Sequence, residues 1–319
     1  MLIPVIFLAC GFLLLGAGAE LMVTSSSRLA IKLGVTPLVV GLTIVAFGTS
    51  APELAVSIQS TIQGSSALAL GNVIGSNIAN IGLILAITAL IQPVRIEIGL
   101  IRKQIPIMIA VSLGLGLMLL DRELDYSDGL LLASGLIAYL VISYKQADSE
   151  FDYDDLAIHP ERAAKDAGKT SLNLLYSLLG LGLLVFGSNI FVNNAVTLAR
   201  LFDISEAVIG LTLVAIGTSV PELATSVIAA VRKESDIAVG NVIGSNMFNI
   251  LAVLGISALV GTIQGDQFAL LDFISMILFT AILLPFAWSG LTLSRTEGFF
   301  LLSGYLAYLL FVAQQANLS

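Results

Sequence analysis

Two segments of this 319-residue chain occur twice, and both pairs of copies are separated by the same distance. The segment GLTIVAFGTSAPELAVS at 41–57 returns as GLTLVAIGTSVPELATS at 210–226, identical at 13 of 17 positions. The segment GNVIGSNIANI at 71–81 returns as GNVIGSNMFNI at 240–250, identical at 9 of 11. The offset is 169 residues in both cases, so the chain contains a duplicated unit. Polar motifs repeated inside apolar sequence are typical of transporters whose site lies where the two copies meet.

The composition is that of an integral membrane protein. Hydrophobic residues make up 57% of the chain and charged residues only 11%, whereas a soluble domain carries roughly 25% charged residues. The apolar runs suit helices of about 20 residues, and the sequence shows no strand signal. The first run lacks the basic flank and cleavage site of a signal peptide, so it is predicted to be a retained span.

The apolar pattern predicts an all-α integral membrane protein with ten transmembrane helices, arranged as two inverted-topology repeats of five. The predicted helices are 2–27, 36–62, 67–91, 105–120, 128–144, 171–199, 206–231, 237–260, 268–288 and 297–316. Between the fifth and sixth helices, Lys145 to Lys169 carries 11 charges in 25 residues, which predicts a solvated linker. The predicted organisation is a first repeat at 1–144, an acidic linker at 145–170 and a second repeat at 171–319.

The distribution of lysine and arginine predicts the orientation. With the N-terminus outside, the outer loops hold only Arg122 and Arg200. The inner side holds Arg28, Lys32, Arg95, Arg102, Lys103, Lys145, Arg162, Lys165, Lys169, Arg232, Lys233 and Arg295. Positive residues concentrate on the cytoplasmic side. The protein is therefore predicted to span the cell (inner) membrane several times, with both termini on the outer side and the linker in the cytoplasm. Because each repeat has an odd number of spans, the second enters the membrane with the opposite polarity.

Each copy contains one isolated carboxylate. Glu53 is the only charged residue between Lys32 and Arg95, and Glu222 is the only one between Glu206 and Arg232. An ionisable group near the bilayer centre costs roughly 2.5–3.5 kcal/mol on insertion scales. No lysine or arginine lies in the motif helices away from their ends, so a bound cation is the expected counter-charge. The alternative is a pair of protonated glutamates packed in the core.

The residues around each glutamate are rich in oxygen. In Gly48-Thr49-Ser50-Ala51-Pro52-Glu53, Pro52 cannot donate to the helix ladder, and freed carbonyls are expected near Ala46. Thr49 and Glu53 share a helix face. The second copy repeats this arrangement with Ala215, Thr218, Ser219 and Glu222. A kinked packing helix with incidental hydroxyls is the alternative interpretation.

The second motif of each copy adds hydroxyl and amide groups. Ser76 and Asn80 are four residues apart on one helix face, and Ser245 and Asn249 repeat the pair. Asn77 and Asn246, one position further, are expected to face a neighbouring helix. The glycines Gly71, Gly75, Gly240 and Gly244 are expected to allow close helix packing rather than to bind ions.

The predicted donor set consists of oxygen alone. The site offers two carboxylates, hydroxyls, amides and carbonyls, while His159 lies in the linker and the single cysteine is Cys10. Oxygen ligands suit Ca²⁺ or Na⁺ and argue against zinc or copper. Two glutamates neutralise one divalent ion. Glu20, in the first span, is expected near the cytoplasmic interface close to Arg28 and outside this site.

GTSxPE followed by GNxxGSNxxNI, present twice, resembles the alpha repeats of the cation/calcium antiporter superfamily, and most closely its prokaryotic sodium/calcium exchangers. The resemblance covers essentially all ten predicted spans. It implies that Ca²⁺ is exchanged for Na⁺ by alternating access, with the first span of each repeat sliding across a rigid core of motif helices. It also implies ion ligands at Thr49, Ser50, Glu53, Ser76, Asn80, Thr218, Ser219, Glu222, Ser245 and Asn249, with backbone carbonyls from Ala46 and Ala215.

One position departs from part of that superfamily. Some relatives, including those that also move potassium, carry aspartate where this chain has Asn249. With one carboxylate fewer, potassium co-transport is not expected. Proton-coupled calcium exchangers belong to the same superfamily, so H⁺ is the alternative counter-ion to Na⁺.

Other classes of function fit the sequence less well. A channel would conduct without a counter-ion gradient, and a scaffold would not need duplicated, unpaired carboxylates. An intramembrane aspartyl protease also uses two acids, but the hydroxyl- and amide-rich surroundings of these glutamates argue against an enzyme. We expect Ca²⁺ and Na⁺ as transported substrates rather than cofactors, contact with membrane lipid, and neither nucleic acid nor an obligate protein partner.

Overall fold

The computed structural model describes residues 2–150, 169–202, 217–265 and 270–316, with side chains except at 146–150, 315 and 316. Within these ranges the chain is helical apart from short turns and four two-residue strands. The α-helices are α1 Leu2–Leu33, α2 Pro37–Val40, α3 Ala46–Thr49, α4 Ala51–Ile62, α5 Ala67–Ala79, α6 Ala86–Ile91, α7 Ile105–Met118, α8 Tyr126–Glu150, α9 Thr170–Leu201, α10 Val220–Val231, α11 Ser235–Phe248, α12 Gly255–Val260, α13 Leu270–Trp288 and α14 Arg295–Ala316. The strands are β1 Val94–Arg95, β2 Glu123–Leu124, β3 Ile263–Gln264 and β4 Thr292–Leu293.

The protein is an all-helical membrane protein. Among the described residues, eight helices are long and apolar enough to cross a membrane, or nine if Pro37–Thr49 and Ala51–Ile62 form one span with a 44° bend. Residues 206–216 of the predicted seventh span, 206–231, lie outside the described part, and the described remainder contains the shorter apolar helix Val220–Val231. The number ten therefore stays a prediction.

Three helices extend past their predicted bounds for one physical reason. Helix α1 continues to Leu33, past the predicted end at 27. The fourth span begins earlier than residue 105, with a π-helical turn at Leu100–Gln104 that contains Arg102 and Lys103. Helix α8 continues to Glu150, past the predicted end at 144. Polar residues end an apolar run but do not end a helix, because helix propensity does not require burial. The predicted linker beyond Glu150 lies outside the described residues until 169.

The motif helices change from α-helical to π-helical geometry at equivalent points. The second motif of each copy runs from α5 into a π-helix at Asn80–Leu85 and from α11 into a π-helix at Asn249–Leu254. A further π-helical turn, Gly41–Val45, joins α2 to α3. Single π turns inside α-helices are frequent at functional sites, because the wider turn changes the direction of the following side chains.

The four short strands join the two copies. Strand β1 pairs antiparallel with β4, and β2 pairs antiparallel with β3. Residues 94 and 263, like 123 and 292, are related by the repeat offset, so the two pairings are equivalent under the duplication. The expectation of a chain without strands is wrong at these points, because two residues are too few for an alternating pattern to be visible.

The first helix of each copy packs against the other at glycine contacts. A Cβ on Gly18 of α1 would lie 2.8 Å from the carbonyl oxygen of Gly180 on α9, and the reverse holds at the same distance. Only glycine permits this separation, because real Cβ atoms do not approach backbone oxygen so closely. The two helices thus pack closely against each other.

The motif helices lie at the centre of the molecule. In the most apolar 18-residue stretch of Ser235–Val260, 89% of the residues are buried, and in that of Ala67–Ile91, 72% are buried. The corresponding value for α1 is 22%. The polar motifs are therefore held in the interior, while the remaining spans expose apolar side chains outward.

Candidate functional site

The two isolated carboxylates lie in one buried site between the copies. Glu53 is in the first turn of α4 and Glu222 in the first turn of α10, and each is only 1% exposed. Ser219 Oγ donates to Glu53 Oε1 at 3.3 Å, and Ser50 Oγ donates to Glu222 Oε1 at 3.4 Å. The serine of each copy therefore contacts the carboxylate of the other copy.

Proline places these carboxylates at helix starts. Ser50 and Ser219 leave helical geometry, with ψ near 5° at both, and a proline follows in the first turn of α4 and of α10. Proline is favoured there, because its missing N–H would have no intrahelical partner. The positive end of each helix dipole then points at the carboxylate in its first turn.

Five oxygens at this site are buried and receive no hydrogen bond from a described residue. They are Glu53 Oε2, Glu222 Oε2, Asn80 Oδ1, Asn249 Oδ1 and Thr218 Oγ1. A buried oxygen without a donor costs about 1–3 kcal/mol, so a group of five requires an explanation. A cation coordinated by these oxygens would supply one.

The predicted hydroxyl residues connect the two copies. Ser76 Oγ lies 3.4 Å from Ser219 Oγ, and Thr49 Oγ1 lies 3.4 Å from Ser245 Oγ. Together with the carboxylate contacts, these distances place first-copy and second-copy hydroxyls around the same two glutamates. All these serines and threonines are buried.

The backbone carbonyl of Ala46 is not freed in the way the sequence predicts. Its oxygen accepts the backbone N–H of Ser50 at 3.0 Å and contacts Thr49 Oγ1 at 3.4 Å. Pro52 has no N–H to donate to the carbonyl of Gly48, four residues earlier in the chain. The turn that ends at Ser50 is left intact. The second copy's Ala215 lies outside the described residues.

Two asparagines that the sequence interpretation did not select hold the glutamate helices in place. Asn72 Nδ2 donates to the Glu53 carbonyl at 3.2 Å, and Asn241 Nδ2 donates to the Glu222 carbonyl at 3.3 Å. Asn241 Oδ1 also accepts from Thr49 Oγ1 at 3.0 Å. The signal for both was available, because each is a polar residue repeated inside the GNVIGSN motif of an apolar helix.

Gly240 and Gly244, in the second copy of the GNVIGSN motif, contribute close helix packing, as predicted. A Cβ on Gly244 would lie 2.6 Å from the Cβ of Ala46, and a Cβ on Gly240 would lie 2.9 Å from the Leu38 carbonyl oxygen. The helix α11 therefore approaches the Pro37–Thr49 segment closely. For Gly75 no such neighbour is found among the described residues.

A cleft lined by both polar and apolar side chains lies beside the site. It has a volume of about 370 Å³ and runs between α9, α4 and the start of the second glutamate motif; Pro52, Ser188, Asn189, Asn193, Gly217 and Thr218 are among its lining residues. Thr218 also carries one of the five oxygens without a donor. Ser188 Oγ donates to the Gly217 carbonyl at 3.0 Å and ties α9 to this edge of the site.

Glu20 has a different partner from the one expected. It forms an ion pair with Arg232, which follows α10, rather than with Arg28. Arg28 is eight residues further along the same helix, roughly 12 Å away at the rise of an α-helix. Ser27 Oγ adds a hydrogen bond to Glu234 at 3.0 Å. These contacts connect α1 to the segment between α10 and α11.

A family model described as sodium/calcium exchanger protein matches residues 3–145 and again residues 172–314. The two matches correspond to the two copies of the duplicated unit. The chain is 35% identical over 338 aligned residues to the sodium/calcium exchanger MaX1 of Methanosarcina acetivorans, covering 95% of this chain and 97% of that protein. It is 37% identical over 314 residues to the inner membrane protein YrbG of Escherichia coli strain K12, covering 97% and 96%.

The fold is similar to that of a solved exchanger. A structure of the sodium-calcium exchanger NCX_Mj, soaked with zero Na⁺ and Ca²⁺, superposes with a TM-score of 0.83 at 29% identity, covering 98% of this chain and 99% of that one. The fold, the duplicated motifs and both matches of the family model agree. The chain belongs to the sodium/calcium exchanger family, whose members are cation/calcium antiporters.

Proposed function

We propose that this protein is a secondary active antiporter that exchanges Ca²⁺ for Na⁺ by alternating access at an all-oxygen site near the membrane midplane. The observation that carries the proposal is the pair of buried glutamates, each hydrogen-bonded to a serine of the other copy. The sequence places no lysine or arginine beside them. A transported cation is then the counter-charge that makes two buried carboxylates tolerable.

The proposed ligand set includes more oxygens than one ion requires. Calcium takes about 6–8 oxygens. The proposed side-chain ligands are Thr49, Ser50, Glu53, Ser76, Asn80, Thr218, Ser219, Glu222, Ser245 and Asn249, and the proposed carbonyl ligands are Ala46 and Ala215. The Ala46 oxygen already accepts one backbone hydrogen bond, so it would bind through its second lone pair. The excess of donors suits either one Ca²⁺ or several Na⁺ ions.

The charge of the glutamates gives a reason for coupled exchange. Two carboxylates require two positive charges, which one Ca²⁺ or two Na⁺ ions supply. The loaded site can pass through an occluded state at low electrostatic cost, whereas the empty site would carry two uncompensated charges. Return without an ion is therefore suppressed, and movement of one ion depends on movement of the other.

The proposed membrane arrangement is ten spans in two inverted-topology repeats, with repeats at 1–144 and 171–319 and a cytoplasmic linker at 145–170. The strand pairs support it, because β1 and β4 follow spans on the predicted inner side, and β2 and β3 lie on the predicted outer side. The bias of lysine and arginine places both termini outside. The YrbG relative is an inner membrane protein by name, and we propose the same membrane here.

Reconstitution with one variable gradient tests the proposed counter-ion. Purified protein in vesicles is given an inside-high Na⁺, K⁺ or H⁺ gradient, and uptake of ⁴⁵Ca²⁺ is measured at equal membrane potential. We expect uptake with the Na⁺ gradient alone. Uptake driven by the pH gradient in the absence of Na⁺ would instead identify a proton/calcium exchanger, and uptake without any counter-ion gradient would identify a channel.

A further inference from the structure

Asn77 and Asn246 form reciprocal contacts across the two copies. Each follows a proposed serine ligand by one position, and they are 2% and 1% exposed. Asn77 Nδ2 donates to the Asn246 carbonyl at 3.3 Å, and Asn246 Nδ2 donates to the Asn77 carbonyl at 3.4 Å. The expectation that both residues face a neighbouring helix is correct, and the neighbour is the equivalent helix of the other copy.

The amide oxygens of the same two residues contact the proposed ligand asparagines. Asn249 Nδ2 donates to Asn77 Oδ1 at 3.0 Å, and Asn80 Nδ2 donates to Asn246 Oδ1 at 2.9 Å. Each proposed ligand is thus held by the copy to which it does not belong.

This network fixes which end of each ligand amide faces the cation. A backbone carbonyl can only accept, so Asn77 and Asn246 must present their NH₂ groups to it. Their own oxygens then remain as acceptors for Asn249 and Asn80, whose NH₂ groups are consumed as donors. The free ends of Asn80 and Asn249 are therefore Oδ1, and both oxygens are buried without a donor. An amide turned the other way would present N–H groups to a cation.

We propose that Asn77 and Asn246 are positioning residues that direct the amide oxygens of Asn249 and Asn80 toward the transported cation. The proposal rests on the proposed function, since it takes Asn80 and Asn249 as ligands. It adds that ligand orientation passes between the copies: the first copy orients the ligand of the second, and the second orients that of the first. The two ligand amides are then correctly oriented only when the two copies pack against each other.

The test is a double-mutant cycle read as the KM for Ca²⁺ in Na⁺-driven uptake. Asn77→Leu removes the acceptor of Asn249 while keeping the branching and the number of side-chain heavy atoms, and we expect the KM to rise roughly tenfold with kcat within about twofold. On an Asn249→Ala background the same change should add less than about twofold, because the amide it orients is gone. On an Asn80→Ala background it should act in full. Asn246→Leu should show the opposite pattern, coupled to Asn80 and independent of Asn249.

The pattern of coupling separates positioning from general packing. A packing defect would act equally on both backgrounds or couple Asn77 to Asn80 on its own helix, and either result would overturn the proposal. If Asn80→Ala and Asn249→Ala leave the KM unchanged, the ligand assignment itself fails, which is a failure of the proposed function. Where leucine prevents insertion, Asn77→Ser and Asn246→Ser remove the amide acceptor with a smaller polar side chain and complete the same cycle.

Discussion

Ser219 of the second copy donates a hydrogen bond to Glu53 of the first, with 3.3 Å between Oγ and Oε1. The equivalent serine of the first copy, Ser50, has the same relationship to Glu222. Neither copy therefore contains a complete site, because each carboxylate depends on the other copy for its hydroxyl donor. The surroundings of each carboxylate are therefore complete only when the two copies pack against each other.

The crossed serine contacts predict a symmetric loss of affinity. Ser50→Ala and Ser219→Ala each remove a hydrogen bond to a carboxylate and a proposed ligand, so the KM for Ca²⁺ should rise about tenfold or more in each. Na⁺-driven ⁴⁵Ca²⁺ uptake over a range of Ca²⁺ concentrations measures this. Ser127→Ala is the matched control, since Ser127 is exposed and its hydroxyl donates to Asp125, just before α8. An unchanged KM in either site variant would contradict the crossed arrangement.

Protons should compete with calcium for the two glutamates. A carboxylate oxygen that holds a proton is no longer available as an anionic ligand, so the KM for Ca²⁺ should rise as the pH falls from about 8 to 5. The maximal rate at saturating Ca²⁺ should change less, because excess Ca²⁺ displaces the protons. Uptake measured at several pH values with the Na⁺ gradient held constant tests this. A KM that stays flat over this range would count against competition at the carboxylates.

The close contact between α1 and α9 predicts a size limit at Gly18. Gly18→Ala places a methyl group against the Gly180 carbonyl oxygen, with only 2.8 Å available. The helices must separate, and we expect a loss of about 1–3 kcal/mol of stability. Heating of detergent-solubilised protein followed by size-exclusion chromatography measures the change. Gly16→Ala on the same helix is the control, because no described residue lies within 4 Å of the Cβ position that alanine would occupy, and equal stability of the two variants would be the contrary result.

The Glu20–Arg232 ion pair should have only a small effect on transport. The two side chains are 40% and 49% exposed, and exposed pairs contribute at most about 1 kcal/mol. Glu20→Gln or Arg232→Gln should therefore change the KM for Ca²⁺ by less than about fivefold. High salt should reproduce this change in the parent protein, because exposed charges are screened. A change larger than about tenfold would assign this pair a role in ion binding that its exposure does not support.

The duplication and the isolated carboxylates that it repeats were predictable from the sequence, and features set by tertiary contacts were not. The same offset of 169 residues relates the π-helices that begin at Asn80 and Asn249 and the strands at 94–95 and 263–264, but neither feature was predicted. Isolation in apolar sequence identified Glu53 and Glu222, because a charge without a local partner is visible in one dimension. The ligand roles themselves stay predictions.

The identity of the contact partners required the structure. Ser50 contacts the distant Glu222, and Glu20 pairs with Arg232 rather than Arg28, because both contacts depend on how helices from different copies pack. The Ala46 carbonyl keeps its backbone donor, since the position of the helix break is decided by the local turn at Ser50 and not by Pro52 alone. The two-residue strands were too short to leave a pattern.

Replacement of the glutamates tests the central claim most directly. Glu53→Gln and Glu222→Gln keep the size and the hydrogen-bonding oxygen but remove the charge that the cation is proposed to neutralise. In vesicles with an inside-high Na⁺ gradient, ⁴⁵Ca²⁺ uptake is predicted to fall to the level of protein-free vesicles in each variant, while Asp128→Asn, in the first turn of α8, retains the parent rate. Near-parent uptake in both glutamine variants would contradict a cation held between these two carboxylates.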